Sequence, residues 1–330
     1  MVARQVALFR RAWSSKLLPP VDKKLANLIA AAFQRNEAQE IGQGGSGQVF
    51  KVKINETCLA VKTAGDMDYG AGLLENEARA LAFINSAYRN GIFSAFYGFG
   101  VINLKGKDQD CLVMGFLPGQ TLDQSLHSIW EKRKALSFLT VLGLLRAIAQ
   151  QACLLHVIGL VHRDIKTANV MLHGSGNKVL VRLFDFGLTR PAGELLPIEN
   201  SCPYVLGTPE ILSLGMWQKN PPQITDDLFS LAQIFVCLLG YKALIETAGE
   251  AVLPHPAYTT YRSVYQCEEY YKKTLPRAVS IFFNSYLPSE QAVFAWNLFS
   301  KMTGQEQAQP YGSCQPLIDD LSSYIALLKM

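Results

Sequence analysis

What the chain lacks narrows the field first. No two of its seven cysteines form a CxxC pair and its five histidines make no HExxH, so nothing has the spacing of a zinc site. The cysteines (Cys58, Cys111, Cys153, Cys202, Cys237, Cys267 and Cys314) are odd in number and widely separated. That pattern points to free thiols in a reducing cytosol, not to a disulfide framework. No apolar run combines the length and the freedom from charge of a membrane span. The longest, Val141–Leu155 and Leu228–Leu239, are interrupted by Arg146, Gln150 and Gln151 or are too short. Nothing reads as a secretory signal, an internal repeat or a low-complexity tract. Acid is missing from the first 21 residues altogether. Residues 1–36 hold seven Lys or Arg against Asp22 alone, net +6, which leaves −2 for the rest of a chain of net +4. Such an arm can cap a lobe as a solvated helix, touch an anionic membrane, or target an organelle, and nucleic acid is the least favoured partner. The cap is preferred. After the break at Pro19-Pro20, Lys24–Phe33 places Leu25, Leu28, Ile29 and Ala32 on one helical face.

What is present is enough for a large core and two lobes, with 330 residues of which 49% are hydrophobic. Gln39–Val52 reads as strand, glycine turn, strand, and Cys58–Thr63 as a further strand. Gly72–Ala87 is helical, with Leu73, Leu74, Ala78, Leu81, Phe83 and Ile84 as its packing surface. Ala95–Leu104 and Cys111–Phe116 complete a small antiparallel sheet, and Leu117-Pro118-Gly119 is a linker. Beyond it the apolar period changes from two to about 3.6. Ser137–Ile158 is a long helix and Asp226–Leu239 a central buried one. A sheet-rich small lobe followed by a helix-rich large lobe gives an α+β fold. Residues 1–36 are the basic N-terminal helical extension, 37–117 the small lobe, and 118–330 the large lobe, with an unplaced helical region at 241–295.

Four short stretches carry chemistry. Gly42, Gly44 and Gly47 are spaced GxGxxG, and small residues let backbone amides approach phosphate oxygens. Dinucleotide folds share that spacing but open a helix after it. Here Val49, Phe50 and Val52 follow at once, which argues for a strand–turn–strand. Lys62 ends the apolar run Leu59-Ala60-Val61-Lys62 and suits the inner phosphates of a nucleotide, provided an anion holds it. Glu75 and Glu77 lie on different faces of the next helix. Glu77, four before the apolar anchor Leu81, is the chosen partner. In His162–Asn169, Asp164 can accept or orient a hydroxyl proton, Lys166 can offset charge on a moving phosphoryl group, and Asn169 offers a neutral oxygen to a metal ion. His162 reads as a packing and hydrogen-bonding residue. Asp185, in Asp185-Phe186-Gly187, supplies the charged metal ligand. Arg163 suits an oxyanion on the downstream loop. Thr189 and Ser201 are hydroxyls there that could be phosphorylated, Glu194 and Glu199 are acids, and an unmodified contact is preferred.

These stretches, in this order, resemble the eukaryotic-type protein kinase superfamily over residues 39–312. The resemblance implies a bilobal fold, an antiparallel sheet with one major helix in the small lobe, and a mainly helical large lobe. It implies ATP and Mg²⁺ (Mn²⁺ as the alternative) as cofactors and a protein substrate. Cys111–Gly119 resembles the last small-lobe strand and the hinge. That makes Met114 the gatekeeper, sets adenine against Gly115, Phe116 and Leu117, and covers it with Val49 and Ala60 above and Leu172 below. Lys166, two residues after Asp164, indicates the Ser/Thr branch. The alternatives are a pseudokinase scaffold and a small-molecule kinase.

After Asp185 the resemblance thins, and two registers compete. One takes Thr208-Pro209-Glu210 as the family's Ala-Pro-Glu. The other takes Gly207-Thr208 as the Gly-Thr segment and puts Ser213-Leu214-Gly215 where Ala-Pro-Glu belongs. The spacing to Asp227-Leu228-Phe229-Ser230 favours the second. It removes a glutamate whose arginine partner is also missing, since Gln309 stands at that position. Losing both charges leaves neither unpaired. Tyr258, Tyr261, Tyr265, Tyr270 and Tyr271 form a dense aromatic patch, read as core packing with a partner surface as the alternative. The divergent large lobe is similar to kinases that bacteria inject into host cells. Localisation is accordingly expected to be cytoplasmic, or a host cell if the chain is such an effector.

Overall fold

The structure is a computed structural model that describes residues 18–44, 47–65, 70–88, 91–132, 134–174, 178–195, 205–208, 211–240, 270–305 and 308–329. It is bilobal. One lobe is Met1–Gly119 with Phe184–Thr189, and the other is Gln120–Leu183 with Arg190–Met330.

The N-terminal lobe runs α1 (Lys23–Gln34), β1 (Gln39–Gly44), β2 (Gly47–Ile54), β3 (Thr57–Ala64), α2 (Gly70–Ala87), β4 (Phe96–Leu104) and β5 (Lys107–Gly115). The strands form one antiparallel sheet in the order β1-β2-β3-β5-β4. Alternation along β3 and β5 sorts side chains to two faces. Leu59, Val61, Cys111 and Val113 join Ile29, Ala32 and Phe33 of α1 in one buried cluster. Leu112, from the opposite face, packs with Leu74 and Ala78 of α2 in a second. Helix α1 begins one residue before the expected span, with the Asp22 carboxylate accepting from the Leu25 N–H at 3.0 Å as N-cap. Its buried face is Ile29, Ala32 and Phe33. Leu28, expected on that face, is instead exposed, because at 100° per residue it falls to the flank of the stripe set by Ile29 and Phe33.

Strands β1 and β2 pair antiparallel as expected of the glycine-rich stretch, with Gly42 opposite Val49 and Gly44 opposite Gly47, while Gly45 and Ser46 lie outside the described residues. Gly47 has φ +136°, and a Cβ there would lie 1.8 Å from the Thr63 carbonyl oxygen. A Cβ on Gly42 or Gly44 meets nothing within 4 Å.

The C-terminal lobe holds two small sheets and most of the helices. β6 (Gln120–Thr121), β8 (Val170–His173) and β9 (Leu180–Leu183) form one sheet, and β7 (Leu160–Val161) pairs with β10 (Arg190–Pro191). The helices are α3 (Leu122–Glu131), α4 (Phe138–Val157), the single turn α5 (Leu214–Trp217), α6 (Ile224–Leu238), α7 (Leu275–Tyr286), α8 (Ser289–Thr303) and α9 (Cys314–Leu327). Helix α4 corrects one expectation. With 20 residues and a mean hydropathy of 1.6 it is long and apolar enough to cross a membrane by length and composition. Arg146 and two amides do not offset the surrounding aliphatics. In the fold its Val141, Leu145, Ile148, Ala152 and Leu155 are buried, and it packs against α9, α6 and β9. Helix α6 is the expected central helix, buried along nearly its whole length.

Of the tyrosine patch, Tyr258, Tyr261 and Tyr265 lie outside the described residues. Tyr271 is core: its hydroxyl donates to the Leu212 carbonyl at 2.5 Å and accepts from Trp217 Nε1 at 2.7 Å, and its ring meets Phe229 edge-on. Cys58, Cys111, Cys153 and Cys314 are free thiols, while Cys202 and Cys267 lie outside the described residues.

The hairpin makes a testable distinction. Gly47→Ala should destabilise by about 2 kcal/mol or more, from strain at positive φ and the backbone clash. Gly42→Ala should stay within about 0.5 kcal/mol of the parent. Urea unfolding of both variants is the measurement.

Candidate active site

The N-terminal lobe gathers one set of candidates on one face of its sheet. Val49 sits opposite Lys62, and Ala60 opposite Met114. Lys62 and Ala60 are two apart on β3, so all four side chains share a face. Lys62 is 3% exposed. Its ammonium donates to Glu77 Oε2 at 2.6 Å and to Asp185 Oδ1 at 3.0 Å. Burial alone would favour neutral lysine, but the charges of Asp185 and Glu77 outweigh it and hold the Lys62 pKa above its ordinary value. Glu75 points elsewhere, to Arg79 at 2.5 Å one helical turn on. Glu77 also receives the Phe186 N–H at 3.3 Å, which ties α2 to the Asp185 segment.

Asn76, which sequence reasoning missed, reinforces that tie. Its amide nitrogen lies 2.8 Å from the Gly187 carbonyl and 3.1 Å from that of Thr189. Asp185 itself adopts φ +63°, uncommon for a residue with a Cβ, and its side chain is 27% exposed. In the hinge run, the Gly115 N–H donates to Ala95 O at 2.8 Å and the Phe116 N–H to Cys58 O at 3.2 Å. The Phe116 ring lies under the Lys51 ammonium, 4.5 Å from its centroid.

The C-terminal lobe gathers the second set around Asp164. The Thr208 hydroxyl donates to Asp164 Oδ1 at 2.7 Å, and Lys166 Nζ donates to Thr208 Oγ1 at 2.6 Å. Lys166 Nζ also lies 2.9 Å from Asp164 Oδ2. The Asn169 amide nitrogen donates to the Asp164 backbone oxygen at 2.9 Å and to its Oδ2 at 2.7 Å, so the amide oxygen is the atom turned away from Asp164. Leu172 is on β8, opposite Gln120 and Val181.

The loop carrying Asp164 hangs on Asp227 at the start of α6. This carboxylate is fully buried and accepts the N–H groups of His162 and Arg163, each at 2.8 Å, with His156 Nε2 at 2.9 Å. Burial opposes its charge, but the His156 hydrogen bond leads a set of favourable contacts that hold its pKa below the usual carboxylate range. His162 is buried and its Nδ1 accepts the Asp164 N–H at 3.3 Å. Arg163 has φ +67° and is 4% exposed.

Residues 35–303 match the model of the protein kinase domain. The chain belongs to that family. A probable serine/threonine-protein kinase of Streptomyces coelicolor is 29% identical over 265 residues, covering 77% of this chain and 35% of that protein. The serine/threonine-protein kinase pkn2 of Myxococcus xanthus is 29% identical over 209 residues, covering 62% and 23%. The calmodulin-binding receptor-like cytoplasmic kinase 1 of Arabidopsis thaliana is 27% identical over 236 residues, covering 69% and 47%. In each case the matched part spans less than half of the relative.

Within this kinase domain, Thr208 of the loop after Asp185 bonds both Asp164 and Lys166, while Pro209 and Glu210 lie outside the described residues. Ser213 caps α5, its Oγ accepting the Met216 N–H at 3.1 Å and donating to Asp226 Oδ1. A Cβ on Gly215 would lie 3.5 Å from Asp226 Oδ1. Gln309 is exposed. A cavity of about 430 Å³ opens beside Gly215, with Asp226, Tyr271, Lys301, Pro310 and Tyr311 in its walls. Thr189, expected as a hydroxyl open to phosphorylation, is instead fully buried, because the Asp185 segment folds back under Asn76. Ser201 and Glu199 lie outside the described residues.

Asp227 and Thr208 were legible only as members of their motifs, and nothing in the sequence singled out Asn76. Asp227→Asn removes the charge that two backbone N–H groups and His156 share, and should cost about 3 kcal/mol at neutral pH. Because the folded-state pKa is lowered, this stabilisation is fully present above the ordinary aspartate pKa of about 3.9 and fades as pH falls through the folded value. The gap in melting temperature between parent and Asp227→Asn should therefore shrink below about pH 4.

Proposed function

We propose that this kinase domain transfers the terminal phosphoryl group of ATP to serine or threonine hydroxyls of protein substrates. The observation that carries the reading is the Thr208 hydroxyl held between Lys166 and Asp164 at 2.6 and 2.7 Å. It presets a carboxylate and an ammonium side by side, the pair needed to orient an acceptor hydroxyl and to balance charge on the group it attacks. Two of the similar proteins carry serine/threonine kinase in their names, which supports the same assignment.

The residues present fit the nucleotide. Lys62 is fixed by Glu77, which suits it to phosphate oxygens. Gly42 and Gly44 have no packing reason to lack a Cβ, which suits a backbone that a phosphate approaches. Val49, Ala60 and Met114 line the same sheet face as Lys62, as adenine contacts require. With the Gly115 and Phe116 N–H groups engaged internally, the Leu117 end of the hinge is the part suited to hydrogen-bond the base. Leu172 is assigned to the other side of adenine.

The donor set also fits a divalent ion. Asp185 offers a partly exposed carboxylate, and the Asn169 amide presents oxygen because its nitrogen is engaged by Asp164. Asp185 and Asn169 would hold Mg²⁺, whose chemistry is to neutralise charge on the phosphates. Asp164 orients the acceptor hydroxyl and takes its proton. Lys166 offsets negative charge on the moving group, and Lys62 keeps the inner phosphates in place.

Labelled ATP presented with protein acceptors and with small-molecule acceptors tests the reading. Transfer to protein serine or threonine supports it, and label appearing only on small molecules, or nowhere, overturns it. Asp164→Ala and Asp185→Ala should each abolish transfer. By calorimetry with Mg²⁺, Asp185→Ala should weaken ATP binding about tenfold or more, and Asp164→Ala by less than about threefold. Equal large losses would reject the division of roles.

A further inference from the structure

The segment Leu18–Val21 crosses the outer edge of the small-lobe sheet. Strand β4 is an edge strand, paired on one side with β5 alone. On its other side the Phe99 N–H donates to the Pro19 carbonyl at 3.0 Å. The crossing is close. Gly98 has φ +143°, and a Cβ there would lie 2.6 Å from Val21 Cα and 2.8 Å from the Pro20 carbonyl carbon. Pro19 and Pro20 fix two consecutive φ angles, so the strap is stiff where it turns the edge.

The two ends of this strap reach opposite faces of the sheet. Val21 and Leu25 pack on the cluster that α1 covers. Leu18 packs on the other cluster, formed by Leu74 and Ala78 of α2 with Leu112. Ala78 is the residue next to Glu77, whose carboxylate lies 2.6 Å from Lys62 Nζ. A shift of one or two ångströms is the ordinary amplitude of helix movement. Such a shift at Ala78 would open the Glu77–Lys62 contact.

We propose that the Leu18–Val21 strap positions helix α2, with Leu18 as a positioning residue that keeps Glu77 against Lys62. The edge crossing at Gly98 is the fixed point, and Leu18 is the contact that transmits it. The kinetic arm of the test rests on the phosphoryl-transfer reading, and the chemical arm does not.

Four variants of the full chain decide it. Leu18→Ala removes the contact and Leu18→Met restores most of it. Gly98→Ala forces the strap off the edge with Leu18 intact. Ile29→Val lightens the opposite cluster as a control for general destabilisation. The first readout is the rate at which an amine-reactive ester acylates Lys62, followed by peptide mass spectrometry. A lysine held by Glu77 and Asp185 reacts slowly. Leu18→Ala and Gly98→Ala should speed acylation about threefold or more, with Leu18→Met and Ile29→Val near the parent. The second readout is steady-state kinetics. Leu18→Ala should lower kcat about five- to twentyfold with a smaller change in KM for ATP, and Leu18→Met should recover it. Unchanged Lys62 acylation in Leu18→Ala, an equal rise in Ile29→Val, or an unchanged kcat in an active enzyme would each overturn the proposal. If the parent transfers no phosphate, the proposed function fails while Lys62 acylation still decides the role of the strap.

Discussion

A buried ammonium has to be surrounded by anions, and in the small lobe Lys62 imposes that requirement on everything near it. An unpaired charge at 3% exposure would cost several kcal/mol, far more than a surface ion pair returns. Two carboxylates satisfy it, Glu77 from α2 and Asp185 from a segment more than a hundred residues away in sequence. Helix α2 must then lie with Glu77 inward, and the Asp185 segment must return to this lobe. Asn76 and the Phe186 N–H complete the attachment. The same constraint explains why α2 is apolar at Leu74 and Ala78 but carries a buried Asn-Glu pair between them.

The large lobe uses a buried charge differently. Two backbone N–H groups and a histidine ring surround the Asp227 carboxylate. Such bonds are directional, so the carboxylate fixes the path of the chain through His162 and Arg163, not merely its position. Asp164 follows directly, and its side chain is braced by Asn169, Lys166 and Thr208. A loop with an uncommon φ at Arg163 is thereby held in one conformation by contacts on both sides of it.

Around the single turn α5 the contacts are short and local: Ser213 with Asp226, and Tyr271 bridging Leu212 and Trp217. Tyr271 shows why an aromatic-rich stretch is hard to interpret from composition. The same ring and hydroxyl suit an interface or a core, and only its burial between Phe229 and Leu212 makes it core.

Local pattern was enough for the elements whose geometry is local. Period-two runs marked β2, β3, β4 and β5 to within a few residues, period 3.6 marked α2, α4 and α6, and Gly42–Gly47 announced a hairpin because β-branched residues followed at once. The choice of Glu77 over Glu75 also needed only helical spacing. What the sequence left undecided depended on distant partners. Leu28 and Ile29 are equally apolar, and only packing on Val61 and Val113 buries one and exposes the other. Thr189 has an ordinary hydroxyl until the Asp185 segment folds beneath Asn76. Thr208 gains its place from Asp164, and Leu18 from the cluster of Leu74, Ala78 and Leu112, across stretches of chain whose closure no local preference encodes. Residue type and spacing determine which groups can do the chemistry. Which of them meet is decided by burial, because only in a packed interior does an unmet charge or hydrogen bond cost enough to select one arrangement.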